Sequence, residues 1–311
     1  MIVISEFMDD SAVQSLRSEF DVLHESSLVD RPADLAAAME LADALIVRNR
    51  TQVDAALIAG APKLKVVGRL GVGLDNIDTT ACSARGIEVI AATGANAVSV
   101  AEYVVTTAMM LLRGVYGSSA EVAAGHWPRA QLSHGRELRG KTLGLIGFGS
   151  IGRVTARLAH NLGMHVVAHD PMVAGDDAAW RQHAVASRSL EALLAEADVV
   201  SLHVPLVAQT RAMLNASRIA LMKRGAIMIN TARGGLVDES ALIAALRSGA
   251  LGGVALDVFE QEPLAASLAW ADVPNLILTP HVAGVTAEAN ARVSDMIAQR
   301  VAASLHAMNK R

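Results

Sequence analysis

From Ile2 onward the chain alternates short β-branched runs with Ala- and Leu-rich segments whose apolar residues recur at helical spacing. Strands are predicted at 2–4, 21–23, 44–47 and 64–67, with helices over 12–20, 32–39 and 53–59 between them. Strand, helix, strand repeated in this way describes a parallel sheet covered on both faces. The same grammar restarts at 142–147 and continues through 166–168, 198–201, 226–229, 253–255 and 276–278. The fold class expected is therefore α/β, with two doubly wound parallel sheets. Between the two series, 99–116 has hardly any polar face, and a helix apolar all round must be buried on several sides. The stretch 286–306 reads as a closing amphipathic helix, with Val293, Ile297, Val301 and Leu305 spaced by four. In the helix that follows 142–147, Ile151, Val154, Leu158 and Leu162 are the expected buried stripe.

Composition narrows the classes. The 311 residues are 52% hydrophobic and only 3% aromatic, with 8 prolines, which suits two domains of ordinary size and is too unbiased for disorder. A net charge of -4 gives no sequence-wide positive field, so neither nucleic acid nor an anionic membrane surface is an expected partner. Mean hydropathy is +0.35, yet every apolar run is broken by charge or glycine well short of the ~20 residues that span a bilayer. Residues 1–5 lack the basic flank and apolar length of a signal and read as a first strand. Cys82, the single cysteine, allows no internal disulfide and no thiolate cluster, which points to a reducing, cytoplasmic setting. No metal site is expected.

Candidate chemistry sits where strands end. Gly147-Phe148-Gly149-Ser150-Ile151-Gly152 follows an apolar strand and opens a helix. Glycines there permit a tight turn, close approach of a diphosphate to backbone and close helix packing, with phosphate charge against the helix N-terminus. Asp170 ends the next strand 18 residues after Gly152, where a carboxylate accepts ribose hydroxyls and repels a 2′-phosphate. The cofactor expected is NAD rather than NADP.

Arg233 stands in the polar loop after 226–229 and reads either as a clamp for an organic acid or as a cap for the helix near Asp238. His281 closes the apolar run 276–278, and Glu262, 19 residues earlier, is a carboxylate able to orient it. Sequence spacing says nothing of their distance. His203 reads as a loop residue beside the cofactor. Arg69 precedes the glycine loop Gly71-Val72-Gly73, whose successive N–H groups can cradle an anion, and Arg48 ends another strand of the first series. Taken singly, each arginine reads equally as an ordinary surface residue.

Together the segments 71–78, 96–102, 147–152, 230–239, 255–263 and 279–281 resemble the D-isomer specific 2-hydroxyacid dehydrogenase family, and the resemblance runs through nearly the whole chain. It implies a flavodoxin-like substrate domain, 1–95 with 287–311, into which a Rossmann cofactor domain, 96–286, is inserted, with a hinge that closes over the nicotinamide. Arg233, Glu262 and His281 fall on the family's catalytic positions, and Gly71, Val72 and Gly73 on its substrate-carboxylate loop. Gly147, Gly149, Ser150, Ile151, Gly152, Asp170, Val204, Thr231, Ala232, Asp257, Ala283 and Gly284 fall where the family contacts NAD. His169 and Val207 depart from residues common at those positions.

The resemblance further implies that His281 moves the C2 hydroxyl proton, that Arg233 holds the substrate carboxylate and that Glu262 stabilises the imidazolium. Arg48 and Arg69 match relatives acting on 3-phosphoglycerate, so a second anion at C3 is expected. Sulfur changes the naming priority, so (S)-3-sulfolactate has the spatial arrangement of a D-hydroxy acid and satisfies the same arginines. With the chain ending at Arg311, serine-feedback control is not expected. The alternatives are a mono-anionic 2-keto acid such as glyoxylate, hydroxypyruvate or pyruvate, or an NAD-sensing, corepressor-like binding protein. A homodimer paired through 99–116 is expected.

Overall fold

The computed structural model describes residues 1–309, so the expected closing segment, 287–311, runs past the described residues. The chain divides into two compact units, Met1–Asn96 with Val285–Arg311, and Ala97–Gly284. The second is an insertion in the first.

The first unit is a five-stranded sheet in the order β2-β1-β3-β4-β5, with β1 at Ile2–Ile4, β2 at Val22–His24, β3 at Ala44–Val47, β4 at Val66–Arg69 and β5 at Glu88–Ala91. Every pairing is parallel. Strands of this kind read as unbroken apolar runs because alternate side chains enter different cores. Ile2, Ile4, Ala44 and Ile46 pack under the helices Asp10–Arg17 and Ala287–Asn309, whereas Val3, Leu45 and Val47 pack on the opposite face. In the closing helix Val293, Ile297, Val301 and Leu305 are all buried, as their spacing predicted. The chemically mixed β5 was missed in the sequence, since Glu88 interrupts its apolar pattern.

The second unit holds seven parallel strands in the order β12-β11-β10-β9-β6-β7-β8. Their ranges are Thr142–Ile146 (β6), His165–His169 (β7), Ala186–Ser187 (β8), Val199–Leu202 (β9), Ala226–Asn230 (β10), Leu251–Leu256 (β11) and Leu276–Leu278 (β12). One face is covered by helices Leu190–Glu196 and Glu239–Arg247, the other by Ala97–Arg113 and Ser150–Asn161.

Two expectations about helices are corrected. The apolar helix runs Ala97–Arg113, and Tyr116 lies in a following 3₁₀ turn beyond Gly114, whose φ is +68°. In the helix Ser150–Asn161 the buried residues are Gly152, Thr155, Ala156 and Ala159; Val154 and Leu158 are only half-buried and Leu162 is 38% exposed. The helix lies against Ala97–Arg113, and such close contact between backbones selects small residues over aliphatic ones. Among the described residues no single helix is long and apolar enough to cross a membrane.

Candidate functional site

In the second unit β6 stands between β7 and β9, where the strand order reverses. Ligands of open α/β sheets bind at such a point, outside the C-terminal strand ends. The loop leaving β6 is held from several sides. Gly147 has φ +101°, and a β-carbon there would overlap the carbonyl oxygen of His203, as one at Gly152 would overlap that of Gly147. Phe148 is fully buried and stacks on Trp180 with ring centroids 4.7 Å apart. By contrast nothing lies within 4 Å of a β-carbon built on Gly149, so the backbone beside Ser150 and Ile151, at the helix N-terminus, is open to a diphosphate.

Asp170 immediately follows β7. Its Oδ2 accepts from the Phe148 N–H at 2.8 Å and its Oδ1 from the Met172 N–H at 2.9 Å, which aims the carboxylate and leaves lone pairs for ribose hydroxyls. Beyond β10 the buried hydroxyl of Thr231 has no hydrogen-bond partner among the described residues, an orphan that a bound cofactor satisfies. The open Gly149 backbone, the aimed Asp170 and the orphaned Thr231 together fit NAD. Val204 after β9, Thr231 and Ala232 after β10, Asp257 after β11, and Ala283 and Gly284 after β12 all lie beyond the same ends of neighbouring strands. His203, partly exposed yet surrounded closely enough for desolvation to pull its pKa down to about 4, is neutral and sits 3.0 Å from the Ser201 hydroxyl.

His281 and Glu262 meet. The His281 Nδ1 lies 2.6 Å from the Glu262 Oε2, while Oε1 accepts from the Phe259 N–H at 3.0 Å. With Nδ1–H directed at the carboxylate, Nε2 is the nitrogen left to exchange a proton. The backbone of His281 is left-handed, with φ +56°, a conformation uncommon outside glycine and tolerated where surrounding contacts over-determine it.

Those contacts come from Asp257, 1% exposed. Its Oδ1 accepts from the Thr279 hydroxyl at 2.6 Å and the Val282 N–H at 2.8 Å, and its Oδ2 from the Ala283 N–H at 2.8 Å. Since the only hydroxyl hydrogen of Thr279 goes to Asp257, the Tyr103 hydroxyl 2.7 Å away donates to Thr279. Burial pushes the Tyr103 phenol pKa up, so it stays in the protonated, donating form. Asp257, expected as an NAD contact, also organises the loop that carries His281.

Arg233 lies just past β10, and its Nη1 donates to the Ala232 carbonyl at 2.6 Å. The buried Asn230 ties the loop from within: its Nδ2 donates to the Arg233 carbonyl at 2.8 Å and its Oδ1 accepts from the Ala232 N–H at 3.0 Å. The next helix is capped by Asp238, which accepts from the Ala241 N–H at 3.0 Å, so Arg233 is not needed as a cap.

In the first unit Arg48 follows β3 and Arg69 ends β4. The Arg69 guanidinium folds back over Gly71, occupying the place of its missing β-carbon, and donates to the Leu70 carbonyl at 3.1 Å. Val72 and Gly73 continue that loop with partly exposed surface. Sequence reasoning missed Asn230, Tyr103, Glu6 and Asn290. Glu6 stands in an acidic stretch with Asp9 and Asp10, the Asn230 side chain bonds within its own loop, and Tyr103 and Asn290 depend on partners remote in the chain. Among the described residues no group of three or more His, Cys, Asp or Glu is placed to hold a metal ion.

Known proteins share this architecture. The family model described as D-isomer specific 2-hydroxyacid dehydrogenase, NAD binding domain, matches residues 105–283. The chain is 55% identical over 293 residues to an (S)-sulfolactate dehydrogenase of Chromohalobacter salexigens, covering 94% of each. It is 39% identical over 307 residues to a D-3-phosphoglycerate dehydrogenase of Mycobacterium leprae, covering 98% of this chain but only 57% of that protein. The crystal structure of the TT0316 protein from Thermus thermophilus superposes with a TM-score of 0.86 at 35% identity, covering 98% of this chain and 97% of that one.

Proposed function

Because the chain belongs to the D-isomer specific 2-hydroxyacid dehydrogenase family, as an NAD-dependent dehydrogenase, we propose that it interconverts (S)-3-sulfolactate and 3-sulfopyruvate. The observation that carries the substrate is the 55% identity to an (S)-sulfolactate dehydrogenase along 94% of both chains. The phosphoglycerate enzymes that match are less similar and much longer.

NAD supplies the two-electron acceptor for the hydrogen on C2. The protein supplies the rest. His281 takes the C2 hydroxyl proton on Nε2, and the Glu262 carboxylate at 2.6 Å stabilises the imidazolium that results. Arg233, its backbone fixed by Asn230, pairs with the substrate carboxylate and draws charge toward the C2 oxygen as the ketone forms. In reduction His281 returns the proton. Gly71, Val72 and Gly73 are the loop proposed for the substrate carboxylate, and Arg48 and Arg69 are the groups proposed to meet the second anion at C3.

The same proposal includes a homodimer, supported by apolar side chains left exposed on the second unit, Met109 at 45% and Trp127 at 76% among them. A cytoplasmic setting is supported by the single, buried Cys82. The test is NADH consumption with 3-sulfopyruvate against 3-phosphohydroxypyruvate, hydroxypyruvate, glyoxylate and pyruvate. The highest kcat/KM is expected with 3-sulfopyruvate. A preference for any mono-anionic acid would overturn the substrate, and no turnover with any of the five would leave a binding protein.

A further inference from the structure

The first unit contains a polar assembly that the acid-base chemistry of the second does not use. Glu6, just past β1, is 4% exposed. Its carboxylate accepts from the backbone N–H groups of Arg48 at 2.9 Å, Asn49 at 3.3 Å, Arg50 at 3.1 Å and Thr51 at 3.0 Å. One internal anion therefore occupies the backbone donors of the 48–51 loop. An incoming anion finds only side chains there.

The Arg48 side chain is itself directed. Its Nη2 donates to the Asn290 Oδ1 at 2.8 Å, and the guanidinium carbon lies 5.8 Å from the centre of the Phe7 ring. Asn290 belongs to the helix Ala287–Asn309, whose buried stripe anchors it to the sheet, so the acceptor is on a rigid element. With one Nη2 hydrogen committed, the planar fork cannot rotate freely, and its other N–H groups keep one orientation.

Resting on the sulfolactate reading above, we propose that Asn290 is a positioning residue that orients Arg48 for the C3 anion.

The experiment compares Asn290→Ala, Asn290→Asp and Arg48→Ala with the wild type on 3-sulfopyruvate, 3-phosphohydroxypyruvate and pyruvate, with NADH fluorescence titration and melting temperature confirming that each variant is folded. Asn290→Ala is expected to raise KM for 3-sulfopyruvate about tenfold relative to KM for pyruvate, with kcat at saturation changed far less. Asn290→Asp, which sets a carboxylate against Arg48 and the anion, should raise it further. If Arg48→Ala is selective for the sulfonate substrate but neither Asn290 variant is, the positioning role is wrong while the substrate reading stands. If Arg48→Ala affects all three substrates equally, the substrate reading fails and this inference with it.

Discussion

Thr279→Val removes one hydroxyl and keeps the shape of the side chain. That hydroxyl donates to Asp257 at 2.6 Å and accepts from Tyr103 at 2.7 Å, so the change deletes both bonds and nothing else. A hydrogen bond to a charged acceptor contributes about 1.5–3 kcal/mol, and an unpaired, partly buried phenol costs about 1 kcal/mol more. The loss of roughly 2–4 kcal/mol falls on the arrangement of residues 279–283, which holds His281 at φ +56°. At about 1.4 kcal/mol per tenfold, and with part of the loss recovered by relaxation of the loop, kcat should fall ~10- to 100-fold. Thr279→Ser retains both bonds and should stay within about threefold of wild type, while Tyr103→Phe, losing only the neutral bond, should cost about threefold to tenfold. The assay is steady-state NADH oxidation at saturating cofactor and 3-sulfopyruvate, with NADH affinity measured separately. Wild-type kcat in Thr279→Val, or equal impairment of the Val and Ser variants, would refute a hydroxyl-dependent hold on His281.

His281→Ala should lower kcat by about 100-fold or more with NADH affinity little changed, as read by fluorescence titration; near-normal turnover would remove it as the acid-base group. Asp170→Ala should weaken NAD binding and narrow the gap to NADP, because the repulsion of a 2′-phosphate goes with the carboxylate; comparable use of both cofactors by the wild type would defeat this. For the dimer, Met109→Glu is the informative change and Leu112→Glu is not, since Leu112, expected to face a partner, is 4% exposed and belongs to the core of its own unit. Light scattering should show monomers for Met109→Glu and a dimer for the wild type. Glu6 has its pKa raised by burial and lowered by a larger sum of bonds from Thr51, Arg48 and Arg50, the net being below the ordinary 4.5. Its contribution to stability is present above that value and lost as pH falls through the depressed one, so the urea-midpoint gap between wild type and Glu6→Gln should shrink from about pH 6 to about pH 3. A gap independent of pH would contradict it.

The features readable from the residues alone were those that short-range physics dictates. Buried parallel strands such as Ala44–Val47 and Ala226–Asn230 are unbroken apolar runs because both their faces are covered, and such runs are visible without knowing what covers them. The turn Gly147-Phe148-Gly149 was legible because a β-carbon at its first position cannot be accommodated, and the closing helix because its stripe recurs every four residues. Arg233 and His281 were marked by their places after strands, and Glu262 as a carboxylate able to orient His281, though not by their distance from one another.

Everything else depended on tertiary contacts, because side-chain hydrogen bonds close over separations that no local pattern encodes. Tyr103 reaches Thr279 across 176 positions and Arg48 reaches Asn290 across 242. Asp257, marked in the sequence only as a cofactor position, shows its hold on the 279–283 loop only once Thr279, Val282 and Ala283 are placed around it. The same holds for packing: Ile151, Val154, Leu158 and Leu162 form a plausible stripe, but the helix turned its small residues inward because another helix lies close against it, and sequence periodicity cannot register the distance between two helices.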